Sequence, residues 1–267
     1  MRFWLCSLFF LSSSLALLGQ NNSVELIQTI STKAQIIEVD NIGTVYTING
    51  GAITSWDLNG KKISENSSLA LGEISSLDAS NALKMIVYFK DLSQVIYLDN
   101  QLAQRGENVA FDVLGYNQIT SICRSYNDGL WVYDQTTFNL LRLNEKLNLD
   151  VESGNLAQII GKVPQPDYMR EVNNWLYVAD VDNGIYLFDR FGSYAYTIPV
   201  KGVHKFVIRA DRLFFVKDGK IQYYHLKTKQ IAQLNKEEID FLDFTVFENK
   251  LLLITQNELM IYRLNVK

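Results

Sequence analysis

From Val24 to Leu264 apolar residues come in short runs separated by polar turns, and several of these runs share one outline. Asn173 to Arg190 shows it most clearly. An apolar and aromatic run from Trp175 to Ala179 is followed by Asp182-Asn183-Gly184 and by a return run from Ile185 to Phe188. Runs rich in β-branched and aromatic residues predict strands. Asn-Gly tolerates the positive φ of a two-residue hairpin turn. Laid along the chain, the outline recurs with starts at Thr44, Lys84, Leu130, Leu176, Leu213 and Leu251, at steps of 40, 46, 46, 37 and 38 residues.

A small polar or acidic cluster precedes each hairpin, and a further apolar position precedes each cluster. Ile37, Leu77, Cys123, Met169, Phe206 and Phe244 all stand at one offset from these clusters. A column that is apolar in every copy predicts a strand buried between neighbouring sheets. Each unit therefore reads as strand, turn, strand, hairpin and strand, with a looser fourth strand. The fourth strands are expected from Lys62, over Val109–Val113, Leu156–Ile160, Tyr194–Ile198 and Ile231–Leu234. The last unit has no fourth strand of its own, while Val24–Ile30 is a spare strand ahead of the first unit.

Repeats of about 40 residues with four strands each, closed in a ring, predict an all-β fold, a six-bladed β-propeller with four-stranded antiparallel blades. The N-terminal strand is expected to join the C-terminal blade and so remove an open sheet edge. On hairpins such as Leu176–Phe188 and Leu213–Leu226, the chain resembles the broad six-bladed propeller group of exported bacterial proteins. Trp56-Asp57 has the form of a WD dipeptide but occurs in one copy, without a preceding Gly-His. That argues against a true WD-repeat protein.

The N-terminus changes the picture. Met1-Arg2, a mostly apolar run from Phe3 to Leu18, small Gly19 and polar Gln20 to Ser23 follow the order of a secretory signal peptide. The expected division is a signal over residues 1–20 and a single propeller domain over 21–267, with no membrane span once the signal is cleaved and a periplasmic or extracellular destination. Gln20 stands where a lipoprotein needs cysteine. With Cys6 in the signal, Cys123 is left without an intramolecular disulfide partner and reads as a buried small hydrophobe. Net charge is −4, and no Lys/Arg run exists to meet phosphates, so no nucleic-acid partner is expected.

Catalytic signatures are missing: there is no Gly-x-Ser-x-Gly elbow, phosphate loop, dinucleotide glycine pattern or His-Glu-x-x-His. No catalytic residue, metal or cofactor is assigned. Asp180 to Gly184 has closely spaced oxygens, but a hairpin turn accounts for them better than calcium does. One position after the apolar column come Glu38, Asp78, Arg124, Arg170, Val207 and Thr245. They are expected to form either a charged lining that recognises a polar ligand or, preferably, ion pairs between blades. His204 is expected at the start of a channel-lining strand, in a structural role before a functional one, and Tyr168 in a proline-stiffened loop from Ile160 to Met169, either exposed as a contact residue or packed down. The candidate binding residues are Tyr116, Asn117, Arg124, Asp167, Tyr168, Arg170, His204 and Lys205. The expected function is a non-enzymatic scaffold in the bacterial cell envelope that binds a ligand or, as partner, another envelope protein. The alternative is a lyase or lactonase acting on a sugar or lactone at the channel mouth, with Glu38, Asp78, Arg124, Asp167, Arg170 and His204 as its candidates.

Overall fold

The computed structural model describes residues 23–67, 71–234 and 238–265. The expected signal segment lies outside the described residues. Strand β1 (Ser23–Ser31) comes first. Blade 1 follows as β2 (Ile36–Val39), β3 (Val45–Asn49), β4 (Ala52–Trp56) and β5 (Lys62–Ser67), and blade 2 as β6 (Ser76–Asp78), β7 (Met85–Phe89), β8 (Gln94–Leu98) and β9 (Gln104–Ala110). Blade 3 is β10 (Ile119–Arg124), β11 (Leu130–Asp134), β12 (Asn139–Leu143) and β13 (Leu149–Glu152); the helix α1 (Leu156–Ile160) leads on from it. Blade 4 is β14 (Pro166–Val172), β15 (Trp175–Asp180), β16 (Gly184–Asp189) and β17 (Tyr194–Ile198). Blade 5 is β18 (Phe206–Arg209), β19 (Arg212–Lys217), β20 (Lys220–His225) and β21 (Ile231–Gln233); β22 (Asp243–Phe247), β23 (Lys250–Ile254) and β24 (Glu258–Asn265) form blade 6.

β1 pairs antiparallel with β24, Val24 opposite Leu264 and Ser31 opposite Glu258, and supplies the fourth strand of blade 6. Among the described residues six apolar clusters run around the ring, each shared by two adjacent blades. The last joins Leu252, Ile254 and Leu259 of blade 6 to Ile37, Val39 and Val45 of blade 1. The fold is a six-bladed β-propeller. All six residues of the apolar column are 3% exposed or less. At about 1.5–3 kcal/mol for each large apolar side chain removed from water, these clusters are the main force joining blade to blade. Buried hydroxyls add direction. Tyr88 and Tyr133 hold equivalent places in blades 2 and 3, and each donates to a carbonyl at the start of the next blade, Ile119 (2.7 Å) and Pro164 (3.0 Å).

The turn after the third strand repeats a side-chain device. Asp57, Asp99, Asn144 and Asp189 each accept the backbone N–H groups two and four residues on, at 2.8 to 3.1 Å. In blade 5 His225 stands in that place, its Nδ1 accepting from Lys227 N and Thr228 N. The histidine on β20 is thus a turn cap.

Three expectations need correction. The fourth strand of blade 2 is β9, ending at Ala110, so Val109–Val113 runs beyond it. The fourth strand of blade 3 is β13, and Leu156–Ile160 is a helical turn. Asn155 caps that turn by accepting from Gln158 N, Gly161 ends it in the left-handed region, and Leu156 is buried beneath it. The hairpin between β15 and β16 has three connecting residues, because Asp180 pairs with Gly184. Asp180 is almost fully buried and accepts Asp182 N, Asn183 N and Gln165 N, which fixes the longer turn. The two-residue turn is the preceding one, where Asn173 (φ 53°) and Asn174 (φ 63°) link paired Val172 and Trp175.

Candidate functional site

The inner strands β2, β6, β10, β14, β18 and β22 surround the ring axis. Side chains alternate along a strand, so the residues on both sides of the buried column point the other way. This brings Glu38, Asp78 and Arg170, one place after the column, together with Tyr168, Lys205 and Asp243, one place before it. Arg170 donates to Asp78 Oδ1 and to Glu38 Oε2 (3.2 Å), and to the Tyr168 hydroxyl through Nε (3.0 Å) and a terminal nitrogen (2.7 Å). Lys205 Nζ lies 3.1 Å from Glu38 Oε1 and donates to Asp243 Oδ2 and the Ile37 carbonyl, both at 2.8 Å. The chain of charge Asp78–Arg170–Glu38–Lys205–Asp243 therefore ties five of the six blades across the axis.

Burial and pairing compete at each of these groups. Burial pushes the Asp78 carboxyl up, but Arg170 together with donors from Ser80 and Arg124 outweighs it and holds the group below the usual carboxylate range. Burial favours deprotonated Arg170 and Lys205, yet Asp78 and Asp243 respectively, with Glu38, keep both cations charged well beyond their ordinary range. At Asp243 burial wins over Lys205, and its carboxyl is raised. Burial also raises the Tyr168 hydroxyl, despite Arg170. What the cluster offers chemically is a set of saturated charges, with donors and acceptors already matched. Cys123 lies buried in the cluster between blades 3 and 4, and burial pushes its thiol up, so it is no ready nucleophile.

The candidate residues divide. Arg170, Tyr168 and Lys205 meet at the axis. Arg124 does not join them: its guanidinium turns to Asp128 and to the Lys84 carbonyl, while its backbone N–H caps Asp78 at 2.9 Å. Tyr168 is not an exposed loop residue. It belongs to β14 and packs edge-on against Phe206, ring centroids 5.1 Å apart. His204 is not in the channel either, since β18 begins at Phe206. Its side chain is 77% exposed, with Nδ1 3.6 Å from Asp167 Oδ2. Asn117 is exposed nearby in sequence to half-buried Tyr116, which packs on the cluster between blades 2 and 3. Asp243 was missed, although the column just before the apolar one carries it next to Phe244, as it carries Lys205 next to Phe206. Among the described residues no group of three or more His, Cys, Asp or Glu is placed to hold a metal.

Two cavities meet at Arg170 and Tyr168. Toward the rim where the inner strands begin lies a pocket of about 160 Å³ bordered by Ser75, Lys90, Thr120 and Asp167. Toward the rim where they end lies one of about 450 Å³, bordered by Asn41, Ser80, Arg209 and Glu248.

No family model matches the chain, and no curated protein matches it in sequence. Solved structures match it in fold. The Pan2 WD40 domain of Neurospora crassa superposes with a TM-score of 0.64 at 8% identity, covering 93% of this chain and 97% of that one. A streptogramin B lyase gives 0.64 at 13% identity, covering 92% and 98%. A catalytically inactive histidine-to-alanine variant of virginiamycin B lyase from Staphylococcus aureus, with quinupristin, gives 0.61 at 11%, covering 92% and 97%. These likenesses establish the propeller and nothing finer.

Proposed function

We propose that this chain is an exported, non-enzymatic propeller of the bacterial cell envelope, a rigid scaffold that binds a ligand or another envelope protein. The state of the axial charges carries the reading. Both oxygens of Glu38 are engaged by cations, and Arg170 and Lys205 are neutralised by Asp78, Glu38 and Asp243. A general acid or base needs a proton that moves near working pH, and Asp78, Arg170 and Lys205 are held away from that condition. The ring instead displays loops at fixed positions, which lowers the ordering cost of binding. The rim around Asn117, Asp167 and His204 is the proposed contact face. The signal-like N-terminus supports export.

The test is affinity capture from a solubilised envelope with the wild-type chain and with an Asn117→Ala, Asp167→Ala, His204→Ala variant. A partner held at fixed stoichiometry by the first and lost by the second supports the reading. Retention by both sinks the choice of face.

One observation favours the enzymatic alternative, a lyase or lactonase type. Asp167 and His204 pair beside the smaller cavity, and burial raises the Asp167 carboxyl although His204 opposes it. Saturable turnover of a sugar or lactone, lost in His204→Ala, would replace the scaffold reading with this one.

A further inference from the structure

The larger cavity holds a cation that the axial cluster does not neutralise. Arg209 ends β18 and lines this space beside Arg170 and Glu38. Its side chain donates to the Ile208 carbonyl at 3.0 Å, and among the described residues it forms no ion pair. Three of the four lining carboxylates are engaged elsewhere. Glu38 is shared by Arg170 and Lys205. Asp40 accepts from Ile42 N, Thr44 N and the Tyr46 hydroxyl. Glu171 accepts from Ser125 Oγ and Trp131 Nε1, both at 2.7 Å. Glu248 is exposed on the turn between β22 and β23. Burial, and after it the charge of Arg170, holds the Arg209 guanidinium below its ordinary range. Glu38 opposes that shift from a distance, but a partly buried cation without an ion-pair partner is costly, and an anion entering the cavity relieves that cost.

The rest of the lining sets the kind of anion. Val39, Val172, Phe206 and Phe247 give the space an apolar wall, and Asn41 and Ser80 add polar groups at the mouth. At about 450 Å³ the cavity falls within the range of small-molecule sites. One unmatched positive charge, flanked by carboxylates that repel excess negative charge, fits a single negative charge better than a phosphate dianion. We propose that this cavity, on the side of the ring opposite the Asp167–His204 rim, binds a monocarboxylate with an apolar body, its carboxylate held by the Arg209 fork. Such a group belongs to a free aryl or alkyl carboxylic acid or to the C-terminus of a peptide that ends in an apolar residue. The inference stands independently of the scaffold reading.

Titration calorimetry on the full chain tests it with four probes: hydrocinnamate, its neutral amide, N-acetyl-alanyl-phenylalanine, and the same dipeptide amidated at its C-terminus. The account expects saturable binding of at least one carboxylate. Its amide should bind about tenfold more weakly or worse. Whichever carboxylate binds identifies the source, since a free acid and a peptide end differ in bulk. Arg209→Gln should abolish the binding. Arg209→Lys should keep the charge, lose the fork and bind at intermediate strength. Circular dichroism melting checks that both variants fold, and removing an unmatched buried cation should leave stability unchanged or raised. The Asp167→Ala, His204→Ala chain should bind as wild type does, so failure of the rim proposal would leave this one standing. Equal binding of acid and amide, undiminished binding by folded Arg209→Gln, or no saturable binding of either carboxylate would overturn the proposal.

Discussion

Arg170 and Asp78 stand 92 positions apart in the chain and pair at the axis of the ring. The same guanidinium reaches Glu38, 132 positions away, so one side chain of blade 4 fastens blades 1 and 2. Contacts of such separation form only when the ring closes. They make the axis a checkpoint on the assembled fold, and removing one partner leaves a buried charge exposed to the full cost of desolvation.

Two of the axial acids should respond to pH in opposite senses. Asp78 is held below its ordinary value of 3.8 in the folded chain. Its ionised form therefore adds stability above pH 3.8, and that contribution is lost as pH falls through the lower folded value. Asp243 is displaced upward, so ionising it costs stability as pH rises from 3.8 toward its folded value. Urea unfolding across the acid range should show the gap between wild type and Asp78→Asn widening as pH rises toward 3.8. The gap between wild type and Asp243→Asn should shift the other way above that pH. Parallel pH profiles for wild type and both variants would contradict the assignment.

Ring closure should depend on β1. A chain shortened to start at Lys33 leaves β24 as an unpaired edge next to the apolar cluster between blades 6 and 1. Size-exclusion chromatography should show self-association, and thermal melting should show a lower midpoint. A monomer that melts as wild type does would mean that β1 contributes no closure.

Gly184 makes a sharper test of the β15–β16 hairpin. It has φ +111°, and a Cβ there would lie 2.5 Å from the Ile198 carbonyl oxygen. Gly184→Ala should cost about 1–3 kcal/mol from the backbone conformation alone, with the contact adding to it. Gly50→Ala is the control: φ is +56° and nothing lies within 4 Å of the added carbon. Its cost should stay near about 1–2 kcal/mol. Equal losses in urea melts would argue against the close approach.

Much of the architecture was legible because the apolar column recurs at one offset, and the core demands it in every blade. The spare strand at Val24–Ile30 was legible for a related reason: blade 6 otherwise lacks an outer strand. The outer strands of blades 2 and 3 were harder to read. They are polar and mostly exposed, as in Gln104–Ala110, so hydrophobic pattern does not mark them, and the apolar run at Leu156–Ile160 belongs to a capped helical turn. At the site, the column with Glu38, Asp78 and Arg170 was legible from strand alternation. Lys205 was also named, but its link to Asp243 depends on the second flanking column. The rotamers that send Arg124 to Asp128 and Arg170 across the axis follow from packing between blades, which a single strand does not encode.

The central claim is that the axial charges are a structural lock. Urea unfolding of a double-mutant cycle on Arg170→Met and Asp78→Asn tests it most directly. The account predicts a coupling of about 1.5 kcal/mol or more, with each single substitution destabilising and the pair costing less than their sum. Additivity within about 0.5 kcal/mol would contradict it.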